Sequence, residues 1–275
     1  MKETIRPWAR TAGKVGHISH GLIYATVGLM ALHVFPGSGE NSTDFIGVLN
    51  RLVQSMLGKV YITLLAGGFF GFAAWRLVQV IWDTEQMGKK INGTIMRAVF
   101  ALLGIAYGYF GWRVLSLLWR GSSTSGDQKA ESSVAQLLGT WYGPWLIGLA
   151  AAIISFSALY QFFQAFTVRF KATLKERELR ECNAWLPFLA LGCVGLVARG
   201  VLFGMLAGML VWSWVTHDPQ KAGSHGDAIS IIAQAPMGLG LVMAEAAGLI
   251  IYGLFAALQA KYRYILMEEK EWVNR

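Results

Sequence analysis

The chain has 275 residues, of which 55% are hydrophobic and only 15% are charged. This composition excludes an ordinary water-soluble domain and indicates a protein that folds in lipid. The net charge of +8 does not indicate a nucleic-acid-binding protein, because the basic residues are concentrated in alternate loops, as the topology of a membrane protein requires.

Six apolar stretches are long enough to cross a hydrocarbon core of about 30 Å, which takes about 20 helical residues. No small-residue cleavage site follows the first stretch, so we expect it to be retained rather than removed as a signal peptide. The sequence therefore predicts an all-α membrane protein with six transmembrane helices. They lie near residues 16–35, 60–82, 95–119, 144–168, 186–215 and 237–261.

A two-helix unit occurs three times, near residues 12–86, 87–172 and 184–265, within a single membrane domain covering 1–275. The first crossings align at GHISH, GTIMR and GLVAR, and the second crossings align at Gly58, Gly143 and Gly238. A short amphipathic stretch, clearest in FIGVLNRLVQSML, lies between the two crossings and predicts a short interfacial helix in each unit. Three parallel repeats of this kind predict a pseudo-threefold bundle.

Basic residues set the predicted orientation. The first segment carries Lys2, Arg6 and Arg10, and the loop after the fourth crossing carries Arg169 and Lys175 among others. The opposite loops are poorer in lysine and arginine. The positive-inside rule therefore places both termini in the cytoplasm.

Glycines at four-residue spacing predict close contact between helices, because small residues let membrane helices approach each other. This pattern occurs in the second, third and fifth crossings. The residues are Gly67, Gly71, Gly104, Gly108, Gly200, Gly204 and Gly208.

The repeats also predict a layer of polar side chains near the cytoplasmic ends of the helices. The first crossings supply His20, Arg97 and Arg199, and the second crossings supply Gln79, Gln164 and Gln259. One hypothesis is an interhelical clasp, in which a guanidinium or imidazole hydrogen-bonds a glutamine amide. The other is a ring of donors that binds an anionic group, such as a lipid phosphate or an acidic metabolite.

Glu245 is a separate candidate, because a carboxylate inside a crossing is costly. It lies about two turns into the sixth crossing, where the other units have Leu65 and Ala150. We expect a proton or cation site there, or a hydrogen bond to a neighbouring hydroxyl or carbonyl.

Neither a cofactor nor a metal site is predicted. The histidines form no facing pair for haem, and Cys182 and Cys193 have no zinc-site spacing. No phosphate-binding loop, dinucleotide fingerprint or hydrolase motif is present, so we expect the protein not to be an enzyme.

The motifs HGLIYATVG, RAVFALLGI and RGVLFGMLA, together with the closing WRLVQ, YQFFQA and FAALQA, resemble those of a known family. It is a bacterial family of integral membrane proteins with a two-helix domain of unknown function, usually repeated three times. His20 departs from the arginine that this family favours. The resemblance implies a location in the bacterial cytoplasmic (inner) membrane and no known activity.

Two functions remain open. The first is a non-enzymatic structural or accessory subunit of an inner-membrane complex, with membrane lipids and other inner-membrane subunits as partners. The second is a small transporter or channel for an anionic or lipid-like solute along the pseudo-threefold axis. The signature of mitochondrial carriers, which share the plan of three two-helix units, is absent.

Overall fold

The computed structural model describes residues 2–33, 49, 52–82, 91–120, 134–218 and 238–264. Seven of the helices that these residues form are labelled here, six long and one short. They are α1 (Lys2–His33), α2 (Met56–Trp82), α3 (Ile91–Arg120), α4 (Gly143–Thr167), α5 (Glu176–Glu181), α6 (Trp185–Thr216) and α7 (Gly238–Tyr262).

All six long helices contain a segment that is long and apolar enough to span a membrane, which confirms the all-helical membrane fold. The first crossing begins earlier than predicted, because α1 begins at Lys2 and its apolar segment begins at Arg10 rather than near residue 16. The predicted end near residue 35 lies outside the described residues. The basic residues therefore belong to the first turns of the helix. Because the number of crossings is even, the first and last helical ends lie on the same side of the bundle. We call this side the terminal side and the opposite side the loop side.

The short interfacial helix is present in the second unit, where residues 134–138 are helical. Thr140 ends this helix by donating a hydrogen bond from its hydroxyl to the Leu137 carbonyl at 2.7 Å. Pro144 then occupies the first turn of α4, where a missing N–H costs nothing. In the first unit Leu49, Leu52 and Val53 are helical. The counterpart in the third unit, near residues 229–232, lies outside the described residues.

On the terminal side, the linker from α4 to α6 folds back against the bundle. It contains a 3₁₀ turn (Arg169–Thr173) and α5, with Leu179 fully buried. Its backbone joins the end of α7, since the Lys175 N–H donates to the Tyr262 carbonyl at 2.8 Å and the Tyr264 N–H to the Thr173 carbonyl at 3.0 Å. The linker therefore covers the terminal ends of α6 and α7.

The six crossings are arranged in the order α3, α2, α1, α7, α6 and α4, each packing against the next. A closed pseudo-threefold ring would have the same neighbours and would also join α3 to α4. Among the described residues, α3 and α4 do not pack along each other, although they are the two crossings of one unit. The described helices therefore form a ring that is open between α3 and α4.

The closest helix contacts are made by glycines other than most of those predicted. A Cβ added at Gly253 would lie 2.6 Å from the Gly21 carbonyl, and one added at Gly28 would lie 2.6 Å from the Ala246 carbonyl. Gly67, Gly204 and Gly208 have no atom within 4 Å of an added Cβ, so their predicted role as contacts is wrong. Their spacing places them on open surface, whereas Gly104 and Gly200 do meet neighbouring helices.

Candidate functional site

A guanidinium lies in the interior of the ring, near the middle of a crossing. Arg199 is close to the centre of α6 and donates two hydrogen bonds to tyrosine hydroxyls. Its Nε donates to Tyr24 of α1 at 2.9 Å, and its Nη1 donates to Tyr252 of α7 at 2.7 Å. One arginine thus joins three helices that belong to the first and third units.

Aromatic rings surround the same guanidinium. Its Cζ lies 5.0 Å from the ring centroids of Tyr24, Tyr252 and Phe203. The negative face of an aromatic ring attracts a cation, and the attraction is strongest where water is excluded. The rings therefore stabilise the charge without supplying a counter-charge.

His20 lies beside this arginine in a cage of rings. It stacks on Phe72 of α2 at 4.3 Å between centroids and meets Tyr24 and Tyr252 edge-on at 5.0 and 5.8 Å. Its side chain is buried, and its Nε2 has no hydrogen-bond partner among the described residues. A buried ring nitrogen without a partner is costly, so this atom is available to a bound group.

Tyr107 brings α3 into the cage. Its ring meets Phe72 at 4.6 Å and His20 at 6.4 Å, and its hydroxyl lies beside that of Tyr24. Five of the crossings therefore contribute to one cluster of His20, Tyr24, Phe72, Tyr107, Arg199, Phe203 and Tyr252. We call this set the central cluster.

The central cluster contains a positive charge with no carboxylate paired to it in the part of the chain that the structure describes. Arg199 is only half-buried, and its Nη2 donates to no described residue. Two groups, the Arg199 Nη2 and the His20 Nε2, thus have unused hydrogen-bonding capacity at one place.

The predicted polar layer is divided by depth. Gln79, Gln164 and Gln259 lie one turn from the terminal ends of their helices, as expected. His20 and Arg199 lie near the middle of their spans instead, because α1 and α6 extend further towards the terminal side than their repeat alignment suggests. The predicted single layer is therefore wrong for these two residues.

Two members of the predicted clasp between the basic residues and the glutamines, Arg199 and Gln79, have other partners. Arg199 bonds tyrosines and not Gln259. Gln79 accepts a hydrogen bond from Arg76 on its own helix at 2.8 Å, and that guanidinium lies 4.8 Å above both Phe72 and Phe100. Arg97 is half-buried near the start of α3, whereas Gln164 is half-buried on α4, which does not pack against α3.

Glu245 is buried on α7, as expected, and its Oε1 has no hydrogen-bond partner among the described residues. It lies two turns from Tyr252 towards the loop side. The predicted hydroxyl or carbonyl partner is thus missing for that oxygen.

Sequence reasoning missed the three tyrosines. One available signal was the repeat itself, because Phe72, Ser157 and Tyr252 occupy the same position of their units. Phe72 and Tyr252 each contribute an aromatic side chain to the central cluster. Tyr24 likewise shares its repeat position with Phe203, whereas Tyr107 aligns with Met30 and Met209 and was not marked by the repeat.

No group of three or more potential metal ligands occurs among the described residues. Cys182 is exposed and Cys193 donates to the Ala165 carbonyl at 3.4 Å.

Comparisons with known proteins agree with the repeat. The Domain of Unknown Function DUF1206 matches residues 15–83, 98–168 and 194–263. The chain is also similar to the uncharacterized protein YxxB of Bacillus subtilis (strain 168), with 26% identity over 271 residues that cover 98% of this chain and 96% of that protein. No solved structure matches. Because the three matches cover most of its length, the chain belongs to the DUF1206 family of integral membrane proteins, with the domain repeated three times.

Proposed function

We propose that the protein is a non-enzymatic membrane protein that binds a solute with an anionic group at the central cluster. Arg199 is the anchor, since its Nη2 is a charged donor that no described residue uses. Tyr24 and Tyr252 hold the guanidinium in place, and His20 offers a second polar atom. This would be the binding step of the transporter or channel that the sequence left open as the alternative to a structural or accessory subunit.

The observation that carries this proposal is the unbalanced charge inside the ring. A charged side chain near the middle of a membrane costs about 3 kcal/mol or more by insertion scales, and such residues are commonly functional. Transporters built from repeats often place their substrate sites near the bilayer midplane, where the repeats meet. Arg199 meets both conditions, because it lies near the middle of α6 and contacts the first unit through Tyr24.

The alternative function, a structural or accessory subunit, is less well supported. It would require a partner on the exposed faces of α3 and α4, and lipid covers such faces equally well. An accessory subunit also gives no reason for a guanidinium inside the ring without a paired carboxylate. Co-purification of another membrane protein in a fixed ratio from mild detergent would favour the alternative.

Thermal unfolding in a neutral detergent tests anion binding. We expect decyl phosphate to raise the unfolding temperature, whereas decanol does not. A ligand at one hundred times its Kd stabilises a protein by about 2.7 kcal/mol. Inorganic phosphate and sulfate are tested in the same way, as a second series of water-soluble anions.

The test variant is Arg199→Leu, and its matched control is Arg97→Leu. The two substitutions change the same repeat position in two different units. We expect stabilisation by decyl phosphate to disappear in Arg199→Leu and to remain in Arg97→Leu. The proposal is wrong if no anion in either series stabilises the unmodified protein more than it stabilises Arg199→Leu.

The orientation in the bacterial inner membrane, with both termini cytoplasmic, is also a proposal and rests on the basic terminal side. Gln136 on the loop side and Arg177 of α5 on the terminal side are both exposed. In a variant without Cys182 and Cys193, we expect a membrane-impermeant maleimide to label Gln136→Cys in cells whose inner membrane is intact. Arg177→Cys should react only after that membrane is opened, and the reverse pattern would invert the topology.

A further inference from the structure

The opening between α3 and α4 lies beside the central cluster, because Tyr107 of α3 belongs to that cluster. Phe110 of α3 packs against the buried Phe69 at 6.2 Å between centroids and yet is 51% exposed. An aromatic side chain that contacts the core and is also half exposed lies at the border of the bundle interior. Phe110 is one turn from Tyr107, and other exposed side chains of α3, such as Leu102 and Ile105, are also apolar, as a path for a hydrocarbon chain requires.

The second unit carries small residues at two repeat positions where the other units carry aromatic residues of the central cluster. Where the other units have Tyr24 and Phe203, this unit has Ala101. Where the other units have Phe72 and Tyr252, it has Ser157. At these two positions the first and third units carry aromatic rings and the second carries small residues, so the ring that the second unit contributes is Tyr107, from another repeat position. The small residues belong to α3 and α4, the two helices beside the opening.

In the described part of the chain, a ligand that entered from either aqueous side would have to cross closely packed apolar side chains. On the terminal side, Phe170, Leu179, Phe188 and Phe255 form one buried cluster with Tyr24. Towards the loop side, α1, α2 and α3 close on a second buried cluster. That cluster includes Ile23, Met30, Leu49, Ile62, Leu65 and Val114.

We propose that the ligand is an anionic amphiphile of the bilayer, which enters sideways between α3 and α4 so that its head group reaches Arg199 and His20. This inference rests on the proposed anion binding and adds the ligand class and its route. Charge complementarity selects the occupant, because the central cluster provides an unbalanced guanidinium and the opening provides an apolar surface for a tail. A neutral lipid would leave that guanidinium without a counter-charge, and a small soluble anion would leave the opening unused.

Photo-crosslinking in vesicles tests the route. Benzoylphenylalanine replaces Phe110 in one variant and Leu254 in a matched control, in which the residue lies near the middle of α7 and is also 51% exposed. The protein is reconstituted into vesicles of phosphatidylcholine mixed with phosphatidylglycerol. The lipids attached after illumination are then identified by mass spectrometry.

We expect phosphatidylglycerol to be enriched at position 110 relative to position 254 by about tenfold, the ratio given by about 1.4 kcal/mol of head-group preference. The enrichment should disappear when Arg199→Leu is added, and it should remain when Arg97→Leu is added instead.

Equal lipid composition at the two positions would overturn the inference, and so would crosslinking of position 110 mainly to a second copy of the chain or to another protein. Stabilisation by inorganic phosphate as strong as that by decyl phosphate would also reject sideways entry, although it would leave anion binding standing. If no anion stabilises the protein, the proposed function itself fails.

Discussion

Replacing Gly21 with leucine is expected to prevent α1 from packing against α7 and to abolish the folded protein in detergent. An added Cβ at Gly21 meets the Gly253 carbonyl, and an added Cβ at Gly253 lies 2.6 Å from the Gly21 carbonyl. Each backbone thus occupies the space that a side chain on the other would need. Overpacking a core costs about 1–3 kcal/mol even where side chains can shift, and here the obstacle is backbone.

Gly204→Leu is the matched control for this prediction. Gly204 is also in the first crossing of a unit, but nothing lies within 4 Å of an added Cβ there. The folded fraction is measured by size-exclusion chromatography and thermal unfolding. We expect Gly21→Leu to aggregate and Gly204→Leu to match the unmodified protein. Equal behaviour of the two variants would contradict the contact between α1 and α7.

Arg199→Leu is expected to abolish anion binding while leaving the stability of the ligand-free protein within about 1 kcal/mol. Removing the side chain loses two hydrogen bonds, each worth about 0.6–2 kcal/mol in a membrane, and the attraction to the rings. It also removes a charge near the middle of a crossing, which costs about 3 kcal/mol or more. These contributions oppose each other and have similar size.

A purely structural arginine would behave differently. Replacing one partner of a structural network would lower the free energy of unfolding without any effect specific to anions. Stability is measured by equilibrium unfolding in mixed detergent micelles without ligand, and binding is measured by the shift that decyl phosphate causes. A loss of several kcal/mol of stability in Arg199→Leu, with the anion response unchanged, would assign the residue to packing.

Much of the fold followed from the repeat and the hydropathy. Six crossings of about the right length were expected because apolar stretches in lipid must form helices whose backbone groups bond internally. The ring order also follows from three equivalent units. The opening between α3 and α4 could not be predicted, since the alignment treats the second unit like the other two. The small residues Ala101 and Ser157 are the only sequence signal of this difference that we identify.

The candidate site was found in part. Arg199 and His20 were identified because ionisable groups inside a crossing are costly, but their depth was wrong because repeat position does not fix the length of helix on each side. The partners were missed for another reason. Tyr24 and Tyr107 look like ordinary membrane aromatics in the sequence, and only the assembled bundle brings their rings around His20 and Arg199.

Native mass spectrometry tests the central claim, an anion held by Arg199 inside the ring, most directly. The unmodified protein, Arg199→Leu and Arg97→Leu are purified in the same mild neutral detergent and compared for bound molecules that survive transfer to the gas phase. We expect one anionic amphiphile per chain on the unmodified protein and on Arg97→Leu, and none on Arg199→Leu. The same bound molecules on all three proteins, or none on any of them, would contradict the account.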